Sequence, residues 1–274
     1  MKPSRATGAV LHTAAYTTTL VFLLPVYVLI NLAIRPTGDL TPALIPSSRA
    51  TLDNFVNVWT QSALPGAIVT SILVTGLSLA VVTTLATMAA YPLARSTARL
   101  STVTFYVFLI GLLLPFQLAL LPLFIQMRDL GLLGSVWSLV IVYAGAQMPF
   151  TIFLITSFLR TAVPRDYEEA ALIDGCRDVQ VFWHVVVPLL RPIIGTSLIL
   201  NGVGIWNDLF TPLIYLAGGS QLTIPMALQQ FVGRYSSNWP LIFASLLISM
   251  IPILALYLAF QRYVIRGFAG GLKG

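Results

Sequence analysis

The run Pro164-Arg165-Asp166-Tyr167-Glu168-Glu169-Ala170-Ala171-Leu172-Ile173-Asp174-Gly175 is a dense polar island in an otherwise apolar chain, and it holds both glutamates of the 274 residues. Around it, 57% of residues are hydrophobic and only 9% are charged. Soluble domains carry about 25% charged residues, so a soluble fold could not cover its surface with so few. The chain reads as an all-α integral membrane protein with a polar connection between spans. The single cysteine, Cys176, excludes an internal disulfide framework.

Outward from the island, windows free of Lys, Arg, Asp and Glu lie between Arg5 and Arg35, Asp53 and Arg95, and Arg99 and Arg128. Three more lie between Asp129 and Arg160, Arg191 and Arg234 (broken only by Asp208), and Arg234 and Arg262. Each holds at least 27 residues, enough for one span of about 20. The two longest hold 41 and 42 residues, too few for two spans and a turn, and Pro65-Gly66 trims the first. Six spans are expected, near 12–34, 67–91, 103–125, 136–158, 193–216 and 241–263, in a single transmembrane domain over 1–274 with a loop at 160–192. Pro25, Pro115, Pro122, Pro149, Pro212 and Pro252 fall inside these spans. Each removes a backbone hydrogen bond and favours a kink, which serves gating or is ordinary membrane-helix composition.

An even count puts both termini on one side. With that side cytoplasmic, eleven basic residues lie inside and four (Arg35, Arg49, Arg128 and Arg234) outside, the asymmetry of the positive-inside rule. The net charge of +6 is therefore topogenic, and no nucleic-acid partner is expected. The first apolar stretch follows Lys2 and Arg5 but runs to Ile34, too long for a signal-peptide core, and reads as a retained span.

The residue inventory excludes most chemistry. The only lysines are Lys2 and Lys273, so no Gly-rich loop ending in Gly-Lys-Ser/Thr exists to cradle ATP phosphates. His12 and His184 stand far apart without a carboxylate or thiol cluster, so no metal site is expected. Only Asp208 is a candidate intramembrane carboxylate, which leaves a membrane hydrolase or an ion-coupled relay little to work with. No catalytic residue is assigned.

Within the island, Pro164 and Asp166 are helix-start signals, Asp166 and Glu169 have capping-box spacing, and Gly175 is a helix stop. A helix of about eight residues is some 12 Å long and unstable alone, so it needs a partner surface, which Ala170 and Ala171 let approach closely. Val179, Phe182, Trp183, Val186 and Val187 then form one apolar stripe of a second helix, ended by Pro188. Together these describe a docking element for a soluble partner.

The spacing of Glu169-Ala170-Ala171, Gly175 and Val185-Val186-Val187-Pro188 resembles the EAA loop of binding-protein-dependent ABC importer permeases, with Val where that family usually has Ile and Leu. Chance occurrence at those offsets is on the order of 10⁻³ or less per chain. Thr51-Leu52-Asp53-Asn54-Phe55, Tyr91-Pro92-Leu93-Ala94-Arg95, Leu130-Gly131-Leu132-Leu133-Gly134-Ser135 and Trp206-Asn207-Asp208 resemble further stretches of the carbohydrate branch, the maltose-type second permease. The tail Gln261 to Gly267, closing at Leu272-Lys273-Gly274, is similar to that branch's C-terminus.

The resemblance implies a type I ABC importer permease fold in the bacterial or archaeal cytoplasmic membrane. It implies four kinds of partner: a second, homologous permease forming a heterodimer, two ATP-binding subunits that carry ATP and Mg, an extracytoplasmic solute-binding protein, and membrane lipid. No cofactor is bound by this chain. Glu168, Glu169, Ala170, Ala171, Asp174, Gly175 and Pro188 are then the ATPase-coupling residues, and Arg266, Gly267 and Lys273 a C-terminal ATPase contact. Trp206, Asn207 and Asp208 offer ring, amide and carboxylate to a sugar on the pathway, or Asp208 serves helix packing; Asn201, Gln117 and Gln147 are further pathway candidates. The alternatives are a permease of the same fold for another solute such as glycerol phosphate, or a secondary transporter.

Overall fold

The computed structural model describes residues 5–234 and 238–271, with side chains described for 12–229 and 238–261. It is all-helical among the described residues. In chain order the helices are α1 (Arg5–Ala33), α2 (Asp53–Gln61), α3 (Leu64–Arg95), α4 (Arg99–Leu113) and α5 (Leu120–Asp129, after a 3-10 turn at Phe116–Ala119). There follow α6 (Val136–Ala162), α7 (Asp166–Ile173), α8 (Asp178–Leu189), α9 (Arg191–Asn207), α10 (Phe210–Tyr215), α11 (Ile224–Arg234) and α12 (Trp239–Gly271).

Four stretches are long and apolar enough to cross a membrane as single helices: His12–Ala33, Leu64–Arg95, Val136–Ala162 and Trp239–Gln261. The count reaches six when each of two bent pairs forms one span. The third expected span, 103–125, bends by 95° between Leu113 and Phe116. Pro115 bars its predecessor from the helical region, and Leu114 is accordingly extended at φ −81°, ψ 126°. The fifth, 193–216, is interrupted after Asn207 by Asp208 at φ −73°, ψ 126°, and α8 meets α9 at 68°. Pro25, Pro92, Pro149 and Pro252 instead sit inside continuous helices.

The chain packs as two compact units. Met1–Pro65 with Ala227–Ile251 form the first. Its organising residue is Arg35, only 1% exposed, whose guanidinium donates to the carbonyls of Thr41, Pro42 (2.8 Å) and Ile45 (2.6 Å). Asn31 Nδ2 donates to Ala43 O at 2.7 Å, and Asn54 Nδ2 to Ala33 O at 2.8 Å and Arg35 O at 2.6 Å. These side chains fasten the segment after α1 to the end of that helix and to α2. Within it the Ser47 hydroxyl, then the Thr41 hydroxyl and amide, hold Asp39 down to about 2 from 3.8.

Gly66–Met226 with Pro252–Gly274 form the second unit. One buried cluster joins Ala86 and Ala90 of α3, Phe105 of α4, Ile152 and Ile155 of α6, Phe182 and Val186 of α8 and Ile193 of α9. Another joins Leu79, Met127, Leu139, Tyr143, Ile205 and Tyr215. The short α10 is anchored by its last residue: Tyr215 Oη donates to Leu120 O at 2.9 Å, and Gly134 N–H donates to Tyr215 O at 2.8 Å. Gly134, at φ +78°, sits so close to Gly219 that a Cβ on Gly219 would strike its carbonyl.

Candidate functional site

The helix expected in the polar island forms as α7 and is eight residues long. Its start differs from the expected capping box. Asp166 is already helical, and no side chain caps the helix. The carbonyl of Arg165 instead accepts the amides of Glu168 (2.8 Å) and Glu169 (3.0 Å). The three acids Asp166, Glu168 and Glu169 occupy the first turn, where the positive end of the helix dipole favours them.

Its end is the predicted glycine stop. Gly175 takes φ +86°, a region that glycine enters without steric cost. The Cys176 amide donates to Ala171 O and the Gly175 amide to Leu172 O, both at 3.0 Å. Those two bonds are the Schellman pair, 6→1 and 5→2. The turn leaves Ile173 (86% exposed) and Leu172 on the surface beside Glu169, Ala170 and Asp174.

The adjacent glutamates part company. Glu169 is exposed, whereas Glu168 is buried. Glu168 Oε1 accepts Arg95 Nη2 at 2.6 Å and Nε at 2.8 Å, and its Oε2 accepts Tyr91 Oη at 3.1 Å. Arg95 also donates to Leu159 O (3.1 Å) and Val163 O (2.8 Å) at the end of α6. Arg160 donates to Leu93 O at 2.8 Å and stacks over the Phe105 ring at 4.6 Å.

The second loop helix departs from the expected stripe. Phe182–Val186 is π-helical between α-helical turns, and its wider turn shifts the faces. Phe182 and Val186 remain buried and are joined by Val181, while Val179 (68%) and Trp183 (47%) are exposed. Pro188 does not end the helix. The π turn before it has the Val187 amide reach Phe182 O, and α8 continues to Leu189. Sequence reasoning marked Tyr91 to Arg95 only as a run resembling the family and not as the holder of Glu168, although Tyr91 and Arg95 stand one helical turn apart on α3.

Trp206, Asn207 and Asp208 face different neighbours. Trp206 is buried and lines a cavity of about 360 Å³ with Ile72, Gly76, Leu79 and Pro252. Asn207 is exposed, its Nδ2 donating to Val203 O at 2.9 Å. Asp208 Oδ2 accepts Tyr143 Oη at 3.0 Å, and Oδ1 accepts the Phe210 (2.9 Å) and Thr211 (3.3 Å) amides that open α10. Asn201 is buried with its Nδ2 on Thr151 Oγ1 (2.8 Å) and Ser197 Oγ (3.1 Å). Gln147 lines a cavity of about 660 Å³ together with Gly111, Pro115, Phe116, Gly145 and Phe150 at the bend between α4 and α5. Arg266 and Gly267 belong to α12 with their side chains outside the described residues, and Lys273 lies outside them altogether.

Comparison with known proteins agrees with this architecture. The chain is 31% identical over 252 residues to the melibiose/raffinose/stachyose import permease protein MelC of Bacillus subtilis (strain 168), covering 92% of this chain and 91% of that protein. It is 30% identical to the multiple sugar-binding transport system permease protein MsmG of Streptococcus mutans serotype c, with 92% of each covered. In fold it matches the crystal structure of a bacterial ABC transporter involved in the import of the acidic polysaccharide alginate. That match has a TM-score of 0.80 at 23% identity and covers 96% of this chain and 98% of that one. Residues 82–270 match the family described as binding-protein-dependent transport system inner membrane component. With that match over most of its length and a type I ABC importer permease fold, the chain belongs to the binding-protein-dependent transport system inner membrane component family.

Proposed function

We propose that this chain is the permease subunit of an ATP-driven carbohydrate importer, forming half of a translocation pathway with a second permease. ATP hydrolysis takes place in two separate ATP-binding subunits, and an extracytoplasmic binding protein delivers the sugar. The observation that carries the reading is α7. It is a helix too short to stand alone, stopped by Gly175 so that Leu172, Ile173 and Glu169 face outward. An ATPase cleft is the partner that covers such a tip in this family, and its closure would drive the bundles between inward- and outward-facing states. The sugar class rests on relatives named for melibiose, raffinose and stachyose import and for multiple sugar binding.

In this reading α7 and both termini lie on the cytoplasmic side, as the basic residues favour. Cys176, the only thiol, is half-buried beside Gly175. A membrane-impermeant maleimide should label it from the cytoplasmic side; labelling only from outside would invert the topology. The function is tested by purifying the tagged chain from its native host and reconstituting the complex in proteoliposomes. Co-purifying ATPase and permease subunits with ATP-dependent sugar uptake are expected. Uptake by the isolated chain would refute the reading.

A further inference from the structure

The inward turn of Glu168 is at odds with its sitting in a docking helix. Its neighbour Glu169 is exposed, yet Glu168 has both carboxylate oxygens engaged inside the protein, by Arg95 at 2.6 Å and by Tyr91 at 3.1 Å. Arg95 in turn reaches the last carbonyls of α6, Leu159 and Val163. Arg165, at the head of α7, closes the circuit by donating to Arg95 O at 2.9 Å. Three elements therefore meet at one buried ion pair: the end of α3, the end of α6 and the first turn of α7. By chain alone, α7 hangs between Val163-Pro164-Arg165 and the glycine turn at Gly175, neither of which is a helical connection. An eight-residue helix so suspended would swivel rather than push.

We infer that Glu168 and Arg95 are positioning residues that form an internal strut, making α7 one rigid piece with the ends of α3 and α6, so that displacement of α7 by a partner moves both spans directly. Glu168 thus has a different task from Glu169: it transmits, and does not dock. The inference rests on the importer reading above. Its readout is sugar transported per ATP hydrolysed, which a purely structural loss of protein would not alter.

In proteoliposomes holding the complete transporter and its binding protein, Glu168→Gln and Arg95→Gln should each lower that ratio by roughly 2- to 30-fold, with the ATPase still co-purifying. Arg95→Cys with Glu168→Cys, in a Cys176→Ser background, should regain the ratio when bridged by a short bis-methanethiosulfonate and lose it again on reduction. An unchanged ratio in Glu168→Gln overturns the strut. So does loss of ATPase co-purification in that variant, which would make Glu168 a docking residue, and so does a bridge that restores nothing. Failure of the importer reading is distinguishable, because there the unaltered complex itself shows no ATP-dependent uptake.

Discussion

Tyr143 of α6 donates its hydroxyl to Asp208 Oδ2 at 3.0 Å, across 65 residues of sequence, at the point where the fifth span breaks. The other oxygen of the same carboxylate receives the first amides of α10. One residue thus ends one helix through its extended backbone, and through its side chain starts the next and pins the junction to its neighbour, which weights Asp208 toward packing over sugar contact.

Replacing Asp208 separates these roles. Asp208→Ala loses the acceptor for the Phe210 and Thr211 amides and for the Tyr143 hydroxyl, a combined cost of about 1–3 kcal/mol. Asp208→Asn keeps one acceptor oxygen and should cost under about 1 kcal/mol. Unfolding in detergent measures both. A residue that only touches substrate would instead leave stability unchanged and alter the uptake KM.

Gly175 meets no atom within 4 Å of where a Cβ would stand, so its constraint is conformational alone. At φ +86°, Gly175→Ala should destabilise the turn by about 1–2 kcal/mol, and Gly175→Asn by less. Gly175→Glu adds a charge beside the exposed tip and should abolish coupled uptake while the protein still inserts. Normal sugar-stimulated ATPase activity in Gly175→Glu would contradict a coupling role for this turn.

Gly219 and Gly76 make a contrasting pair. A Cβ on Gly219 strikes the backbone of Gly134, which cannot yield as a flexible side chain can, whereas one on Gly76 meets nothing. Gly219→Ala should cost about 1–3 kcal/mol. Gly76→Ala, in the middle of a helix, should be neutral or stabilising by up to about 1 kcal/mol. Thermal denaturation of the two variants side by side checks the difference.

The loop after α1 has its own acid limit. Asp39 has a lower pKa folded (about 2) than unfolded (3.8), so its contribution is present in full above the unfolded value and lost as pH falls through 3.8 toward 2. Pepsin cleavage within residues 36–50, normalised to the denatured chain, should rise over that range. Asp39→Asn should already be cleaved readily at pH about 4, and Ser47→Ala should move the transition upward.

Spans and loop were legible because charge is so scarce: the four single helices long and apolar enough to cross a membrane carry only Arg95 and Arg160, each in the last turn of its helix, and the Gly175 stop has the φ its position required. The bend at Leu114 could be anticipated from Pro115, but its 95° angle depends on tertiary packing. What stayed hidden was direction. Glu168 and Glu169 are the same residue type on the same turn of a short helix, and only Tyr91 and Arg95, more than seventy residues away, decide which one turns inward. Arg35 likewise reads as an outer-loop charge, because no local pattern announces that backbone carbonyls will surround its guanidinium. The π turn at Phe182–Val186 has no periodic signature either, since it is itself a slip in the period.

The bend between α4 and α5 bears on the life of the chain before assembly. Leu114 and Pro115 interrupt the helical ladder inside an apolar stretch, beside a cavity of about 660 Å³. Hydrocarbon offers such peptide groups no hydrogen bonds, so they are tolerated only against protein or water. In the importer proposed above, a newly inserted copy without a companion permease would hold these peptide groups unsatisfied until protein or water covers them. On that proposal the abundance of this subunit would follow the supply of its partner.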